Sequence, residues 1–180
     1  MVEPEYRDSF RGFMAGGDVA LIRSIEKFED REEYGRRQLR DLGFVDGDLI
    51  LAITEGGETP FVIAAGEEGV KLSPSRKHYF LYCNPDETLC RLAERSKRVI
   101  ENDRFIKMNL THGPMGITGS TRMQATTVQL LAAGLAIQHH AKPENIQPSL
   151  QRIAKYICDD CRFDELAPFT TAEAALYRAG

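Results

Sequence analysis

A run of five apolar residues, Leu49-Ile50-Leu51-Ala52-Ile53, lies between Asp48 and the turn Thr54-Glu55-Gly56-Gly57-Glu58, and it constrains the fold more than any other stretch of the chain. It has the length of a strand and does not alternate, the pattern of a strand covered on both faces in a parallel sheet. Thr59-Pro60 then opens Phe61-Val62-Ile63-Ala64-Ala65, with Thr suited to the N-cap and Pro to the first helical position. The unit is strand, tight loop, helix. It recurs: His78-Tyr79-Phe80-Leu81-Tyr82-Cys83 reads as a strand, Asn84-Pro85 as cap and first turn, and a helix is expected to about Glu101. Such alternation implies an α/β fold with crossover helices, in which Leu49–Ile53 and Tyr79–Tyr82 are neighbouring parallel strands.

Upstream, Leu21, Ile22, Ile25, Phe28, Leu39 and Leu42 recur at helical spacing. They predict one amphipathic helix from Asp18 to Leu42, or two broken near Gly35, with Gly43 as a stop. Downstream, Thr111–Thr121 is rich in glycine and forms a long shaped loop into Met123–His140, a segment apolar nearly all round and so expected to be the most buried element. Two further helical patterns, about 145–159 and 163–178, follow Pro143. The strands are few: an open sheet commonly has about four to six, and only short candidates near Arg11–Met14 and Met108–Leu110 can be added to the two clear ones. The division expected is an α/β domain over 1–141 and a helical extension over 142–180.

The 180 residues carry 23 Lys and Arg against 27 Asp and Glu, a net charge of −4 with the signs intermixed. Neutralising a nucleic acid needs clustered cations, so no nucleic acid is expected as partner, whereas a small anion remains compatible. MVEPEYRDSF has no basic region followed by an apolar run, and no segment approaches about 18 uninterrupted apolar residues. No membrane span is expected, and the compartment expected is the cytoplasm. Cys83, Cys90, Cys158 and Cys161 are too scattered for a disulfide framework. Cys158 and Cys161 form a C-x-x-C, but no second such pair completes a zinc site. They read as structural thiols, and His139 and His140, being adjacent, diverge on a helix. No metal and no cofactor is expected.

Three features could carry chemistry. The glycines of Thr54–Thr59 let backbone approach a ligand, and the helix that follows offers unpaired amides and a positive dipole end, so the loop reads as a phosphate cradle with Thr54 and Thr59 as hydroxyl donors. The same glycines would also serve an ordinary strand-to-helix turn, and Glu55 and Glu58 would repel a dianion. Second, Gly113–Arg122 gathers Thr118, Ser120, Thr121 and Arg122 at a helix start, where hydroxyls, amides and a guanidinium could converge on an oxyanion or a sugar, or where the hydroxyls could simply cap the helix. Third, Glu26 and Glu29 are three apart on the expected first helix, suited to binding sugar hydroxyls or to acid and base work, though the acidic run Asp30, Glu32, Glu33 also fits a solvated helix surface.

Ala15-Gly16-Gly17, Glu26-x-x-Glu29-Asp30, Thr59-Pro60-Phe61-Val62-Ile63, Asn84-Pro85 and Thr118-Gly119-Ser120-Thr121-Arg122-Met123 stand in an order and spacing that resembles the sugar isomerase (SIS) domains of the N-acetylmuramic acid 6-phosphate etherase and glucokinase regulatory protein family. The likeness covers about residues 12–140. Thr54–Thr59 is also similar to the SQSGET phosphate loop of the isomerase domain of glucosamine-6-phosphate synthase. These resemblances imply a three-layer α/β/α fold with a parallel sheet, present here in part, followed by α-helices. They imply a sugar phosphate as ligand, with Thr54, Gly56, Gly57 and Thr59 on the phosphate, and Glu26, Ser120, Thr121 and Arg122 as further ligand-binding residues. Departures fall at the ligand: Gly56 stands where the family usually has Ser, Glu58 where the etherases have Arg, and Gln124 where Lys is usual. Each removes a hydroxyl donor or a cation.

By the same resemblance the family's first strand, first phosphate loop and a catalytic glutamate precede the Ala-Gly-Gly segment, which here begins at Ala15, while Ala174–Gly180 resembles the helix end leading to a second SIS domain. The expectation is a portion of a tandem-SIS protein, pairing with the remainder of that protein or as a homodimer. Two functions follow. One is a regulatory or sensor module that binds phosphosugars without breaking a bond; the other is an etherase-type carbon–oxygen lyase that, in the complete protein, releases D-lactate with Glu29 as acid or base and Glu26 orienting the sugar. A scaffold that only assembles is the third.

Overall fold

The computed structural model describes residues 4–179; the first three residues and Gly180, which the terminal expectations above touch, lie outside that range. The chain divides into two compact units, Met1–Gly134 and Leu135–Gly180.

The first unit is built on three parallel strands, β1 (Leu51–Ile53), β2 (His78–Tyr82) and β3 (Phe105–Asn109), in the order β1-β2-β3. Ala52 pairs with Phe80 and Phe80 with Lys107, so 52, 80 and 107 share a face. Helix α2 (Pro60–Leu72) crosses from β1 to β2, and α3 (Asp86–Leu92) with α4 (Glu94–Ile100) from β2 to β3. In β2 every residue but Tyr79 is fully buried, which requires cover on both faces, as its unalternated sequence implies. Ala52, Phe80, Tyr82 and Phe105 on one face pack with Ile63, Leu89, Val99 and Ile100 from the crossover helices. The expected neighbouring parallel strands and the flanking helices are therefore found, and β3 extends the short candidate at Met108–Leu110.

Several sequence expectations fail locally. No single helix runs from Asp18 to Leu42: a 3-10 turn at Gly17–Leu21 is followed by irregular chain, and the helix proper is α1 (Glu32–Asp41). Lys27 adopts φ +74°, left-handed backbone that a helix cannot contain. Gly35 is a contact point inside α1, because its bare Cα lies against the Phe61 carbonyl of α2. Arg11–Met14 forms no strand. The helix expected to reach Glu101 is interrupted at Ala93, whose extended backbone (φ −134°, ψ 100°) separates α3 from α4.

Helix α5 (Gln124–Gln138) is apolar but not the most buried element. Ala125, Gln129 and Leu135 are buried whereas Leu130 is 71% exposed; burial is deepest in α2, where Phe61, Ile63, Ala64 and Ala65 meet α1 or the sheet. The second unit contains α6 (Ile146–Lys155), a π-type turn at Tyr156–Asp160 and α7 (Ala167–Ala179). Among the described residues no helix is long and apolar enough to cross a membrane.

Candidate functional site

Open α/β sheets take their ligands beyond the carboxyl ends of the strands, and here that edge is a hydrogen-bonded polar network. The Thr54 amide donates to the Leu81 carbonyl (3.0 Å), carrying the β1–β2 pairing one residue past β1. Thr54 is buried, and its Oγ1 lies 2.8 Å from Thr59 Oγ1. Thr59 is the N-cap of α2 with Pro60 following, as its sequence predicts, yet its hydroxyl makes no capping bond because it is turned to Thr54. A pair of hydroxyls shares one hydrogen bond, which leaves one proton free to donate elsewhere.

Three successive carbonyls in the loop accept side-chain donors. Gly56 O accepts from Asn84 Nδ2 at 3.0 Å, Gly57 O from Ser96 Oγ at 2.7 Å and Glu58 O from Arg95 Nε at 2.5 Å. In trans peptides the amide points opposite to the preceding carbonyl, so the N–H groups of Gly57, Glu58 and Thr59 each point away from the donor that holds the carbonyl before them. Gly57 has φ +83°, backbone that favours glycine, and a Cβ there would sit 2.7 Å from Leu89 Cδ1 and displace that side-chain tip. Asn84 is itself braced: Asn109 Nδ2 donates to the Asn84 carbonyl (3.2 Å) and to Asp86 Oδ1 (2.6 Å), where Tyr82 also donates (2.7 Å). Burial, then the Asp86 contact, pushes the Tyr82 phenol far above its ordinary range.

Glu29 reaches this loop through its backbone. Its carbonyl accepts from the Phe61 amide (2.9 Å) in the first turn of α2. Glu26 is exposed and its carboxylate accepts from Ser24 Oγ at 2.9 Å. The two acids do not share a helical face, because the segment that carries them turns at Lys27.

The second expected segment meets the first through Glu55. Thr121 Oγ1 donates to Glu55 Oε2 at 2.6 Å, Thr126 Oγ1 donates to Glu55 Oε1, and Gln129 Nε2 donates to the Thr54 carbonyl at 2.9 Å. Ser120 is held by its amide on the Ile117 carbonyl (3.0 Å), and Arg122 is exposed on an open groove with Met123, Gln124, Thr127, Val128 and Leu131. Neither bonds to the loop among the described residues. Sequence reasoning missed Glu55 as a tie, and Asn84, Arg95, Ser96 and Gln129 as supports; these partners are 28 to 75 residues from what they hold, so no local pattern marks them.

Burial raises the Cys83 and Cys90 thiols, so neither is an activated nucleophile. Cys158 is exposed and Cys161 half-buried, and no three His, Cys, Asp or Glu side chains cluster as a metal site among the described residues.

The family model described as glucokinase regulatory protein N-terminal SIS domain matches residues 1–67, which include α1, β1 and the loop. An N-acetylmuramic acid 6-phosphate etherase of Aliivibrio fischeri (strain ES114) is 33% identical over 124 residues, 69% of this chain and 37% of the relative. The etherase of Bacillus subtilis (strain 168) is 34% identical over 120 residues, 67% of this chain and 35% of the relative. The chain belongs to this SIS family. It matches a little over a third of the length of these etherases. Within the SIS domain, the three departures have distinct fates. Gly56 contributes its carbonyl to Asn84, Glu58 its carbonyl to Arg95, and Gln124 accepts the Gly116 amide, so Gln124 serves the loop ahead of α5 where a cation is usual.

Proposed function

We propose that this SIS domain binds a sugar phosphate at the Thr54–Thr59 loop and serves as a regulatory or sensor module. The observation that carries the reading is the loop itself: a hydroxyl pair at the start of α2, with three carbonyls held by side-chain donors so that the amide following each points away from that donor. Amides, a hydroxyl proton and a helix N-terminus together suit a phosphate. Thr54, Gly56, Gly57 and Thr59 take the phosphate, while Ser120, Thr121, Arg122 and Glu26 line the approach for the sugar. The regulatory role is favoured over chemistry because the loop departs from the family at Gly56, Glu58 and Gln124, and because the turn at Lys27 denies Glu26 and Glu29 a common helical face. The protein acts in the cytoplasm, as a homodimer or joined to the remainder of a tandem-SIS protein, with 142–180 as the helical lead to a further domain.

Calorimetric titration with fructose 6-phosphate and glucosamine 6-phosphate tests the reading. Saturable binding weakened about tenfold by Thr54→Val is expected, the size of one hydrogen bond to a charged group; no binding of either ligand overturns it.

The second reading, an etherase-type lyase in the complete protein, is favoured by the names of the relatives. Elimination needs a base for the carbon-bound proton and an acid for the leaving ether oxygen, each contributing about 10²- to 10⁴-fold. On that reading Glu29→Gln abolishes release of D-lactate from N-acetylmuramic acid 6-phosphate while binding persists. Residues 1–180 alone are expected to release none, and robust turnover would overturn the module reading.

A further inference from the structure

Glu55 supplies a fixed negative charge beside the loop. Its Oε2 accepts from Thr121, ahead of α5, and its Oε1 from Thr126, in the first turn of α5, so both oxygens are anchored, on a residue that is half-buried. No Lys, Arg or His forms an ion pair with it among the described residues, in contrast to Glu67, which pairs with Arg36 and Arg98, and Glu68, which pairs with Arg40 and Lys71. The peptide that precedes this carboxylate is that of Thr54, the residue whose hydroxyl pairs with Thr59.

We propose that Glu55 sets the charge specificity of the site: it restricts the ligand to a sugar bearing one anionic group, the phosphate, and neutral substituents elsewhere, and it rejects a sugar that adds a carboxylate. The inference rests on the sugar-phosphate reading above. The phosphate is taken at the start of α2, where the amides and the helix dipole offset the repulsion from Glu55, and the region between the loop and α5 receives hydroxyl or amide groups that can donate to Glu55. A second carboxylate brought within a few ångströms would meet an uncompensated like charge, a penalty of about tenfold or more in affinity at the effective dielectric of a protein surface. On this view the chain discriminates against N-acetylmuramic acid 6-phosphate, the compound in the names of its relatives, in favour of N-acetylglucosamine 6-phosphate, which lacks the lactyl carboxylate.

The experiment is calorimetric titration of residues 1–180, wild type and Glu55→Gln, with N-acetylglucosamine 6-phosphate and N-acetylmuramic acid 6-phosphate. Glutamine keeps the length and can accept from one threonine and donate to the other, so it removes the charge while retaining the tie. The expected result is a wild-type preference of tenfold or more for the first ligand that shrinks about tenfold in Glu55→Gln. The bulk of the lactyl group is common to both measurements and cancels from that change. A preference unaltered by Glu55→Gln overturns the inference and leaves sugar-phosphate binding standing, since Glu55 would then be a structural tie alone. Failure of both ligands to bind the wild type overturns the sugar-phosphate reading and this inference with it. If Glu55→Gln does not fold, the wild-type preference is followed from about 0.05 to 0.5 M salt, where screening should reduce it severalfold; a preference indifferent to salt overturns the inference.

Discussion

At the scale of single residues, the loop is held by groups that no ligand needs to touch. Ser96 is fully buried and its hydroxyl is the partner of the Gly57 carbonyl. Ser96→Ala removes that donor and leaves a carbonyl without compensation, so a loss of about 1–2 kcal/mol in denaturant unfolding is expected, together with weaker ligand binding. Gly57→Ala forces a side chain into positive-φ backbone against Leu89. It should cost about 1–3 kcal/mol and, on the proposed function, reduce sugar-phosphate affinity, because relaxing the strain would swing the loop amides. A Gly57→Ala protein that binds as tightly as the wild type would separate the loop from binding. Thr54→Val removes a buried hydroxyl that is bonded to Thr59, so a loss of about 1–2 kcal/mol in unfolding is expected beside the loss of affinity.

Elements are joined by close contacts between α1 and α2 and by one buried imidazole. Gly35 lies mid-helix, where alanine would normally favour the helix by about 1 kcal/mol. Here a Cβ would strike the Phe61 carbonyl, and backbone cannot yield as a side-chain tip can. Gly35→Ala is therefore expected to destabilise, by about 2–3 kcal/mol in urea unfolding, and a stabilised variant would refute the α1–α2 contact. His78 is buried in β2; its Nδ1 accepts from the Ile50 amide at 3.2 Å, so the proton sits on Nε2, which donates to the Ser73 carbonyl at 3.3 Å. Burial, aided by Arg104, pushes the imidazole below its ordinary value of 6.5. The folded state thus holds the neutral form while the unfolded chain takes a proton first. Stability from this group is complete above pH 6.5 and declines as the pH falls below it. Urea midpoints at about pH 7.5 and about pH 5.5 should differ in that direction, and His78→Gln should reduce the difference.

Across the whole molecule, burial is uneven. The Met1–Gly134 unit contains the buried residues of β2 and α2, whereas within Leu135–Gly180 only Leu135 and Ser149 are buried among the described residues. Amides open most rarely where apolar contacts are densest. Hydrogen exchange should therefore be slowest in His78–Tyr82 and Pro60–Leu72 and fast through Ala167–Ala179, whose Phe169, Leu176 and Tyr177 are all at least 74% exposed. Equal protection in the two units would contradict this distribution.

Local chemistry determined much of this protein. The unalternated strands, the Thr59-Pro60 helix start, the glycine at position 57 and the alternation of strand and helix are written in short stretches, because each answers to the conformational preference of a few adjacent residues. Periodicity misled where two segments shared a pattern but not an element: Leu21 and Leu39 repeat at helical spacing, yet Lys27 turns the chain between them. Glu26 and Glu29 consequently lost their common face. Only the tertiary structure decided that Glu55 would meet Thr121 across 66 residues, that Ser96 would hold Gly57 across 39, and that His78 would cap Ile50 across 28. Such pairings depend on how strands stack and where crossover helices land, and a polar side chain carries no mark in the sequence of which distant partner will satisfy it.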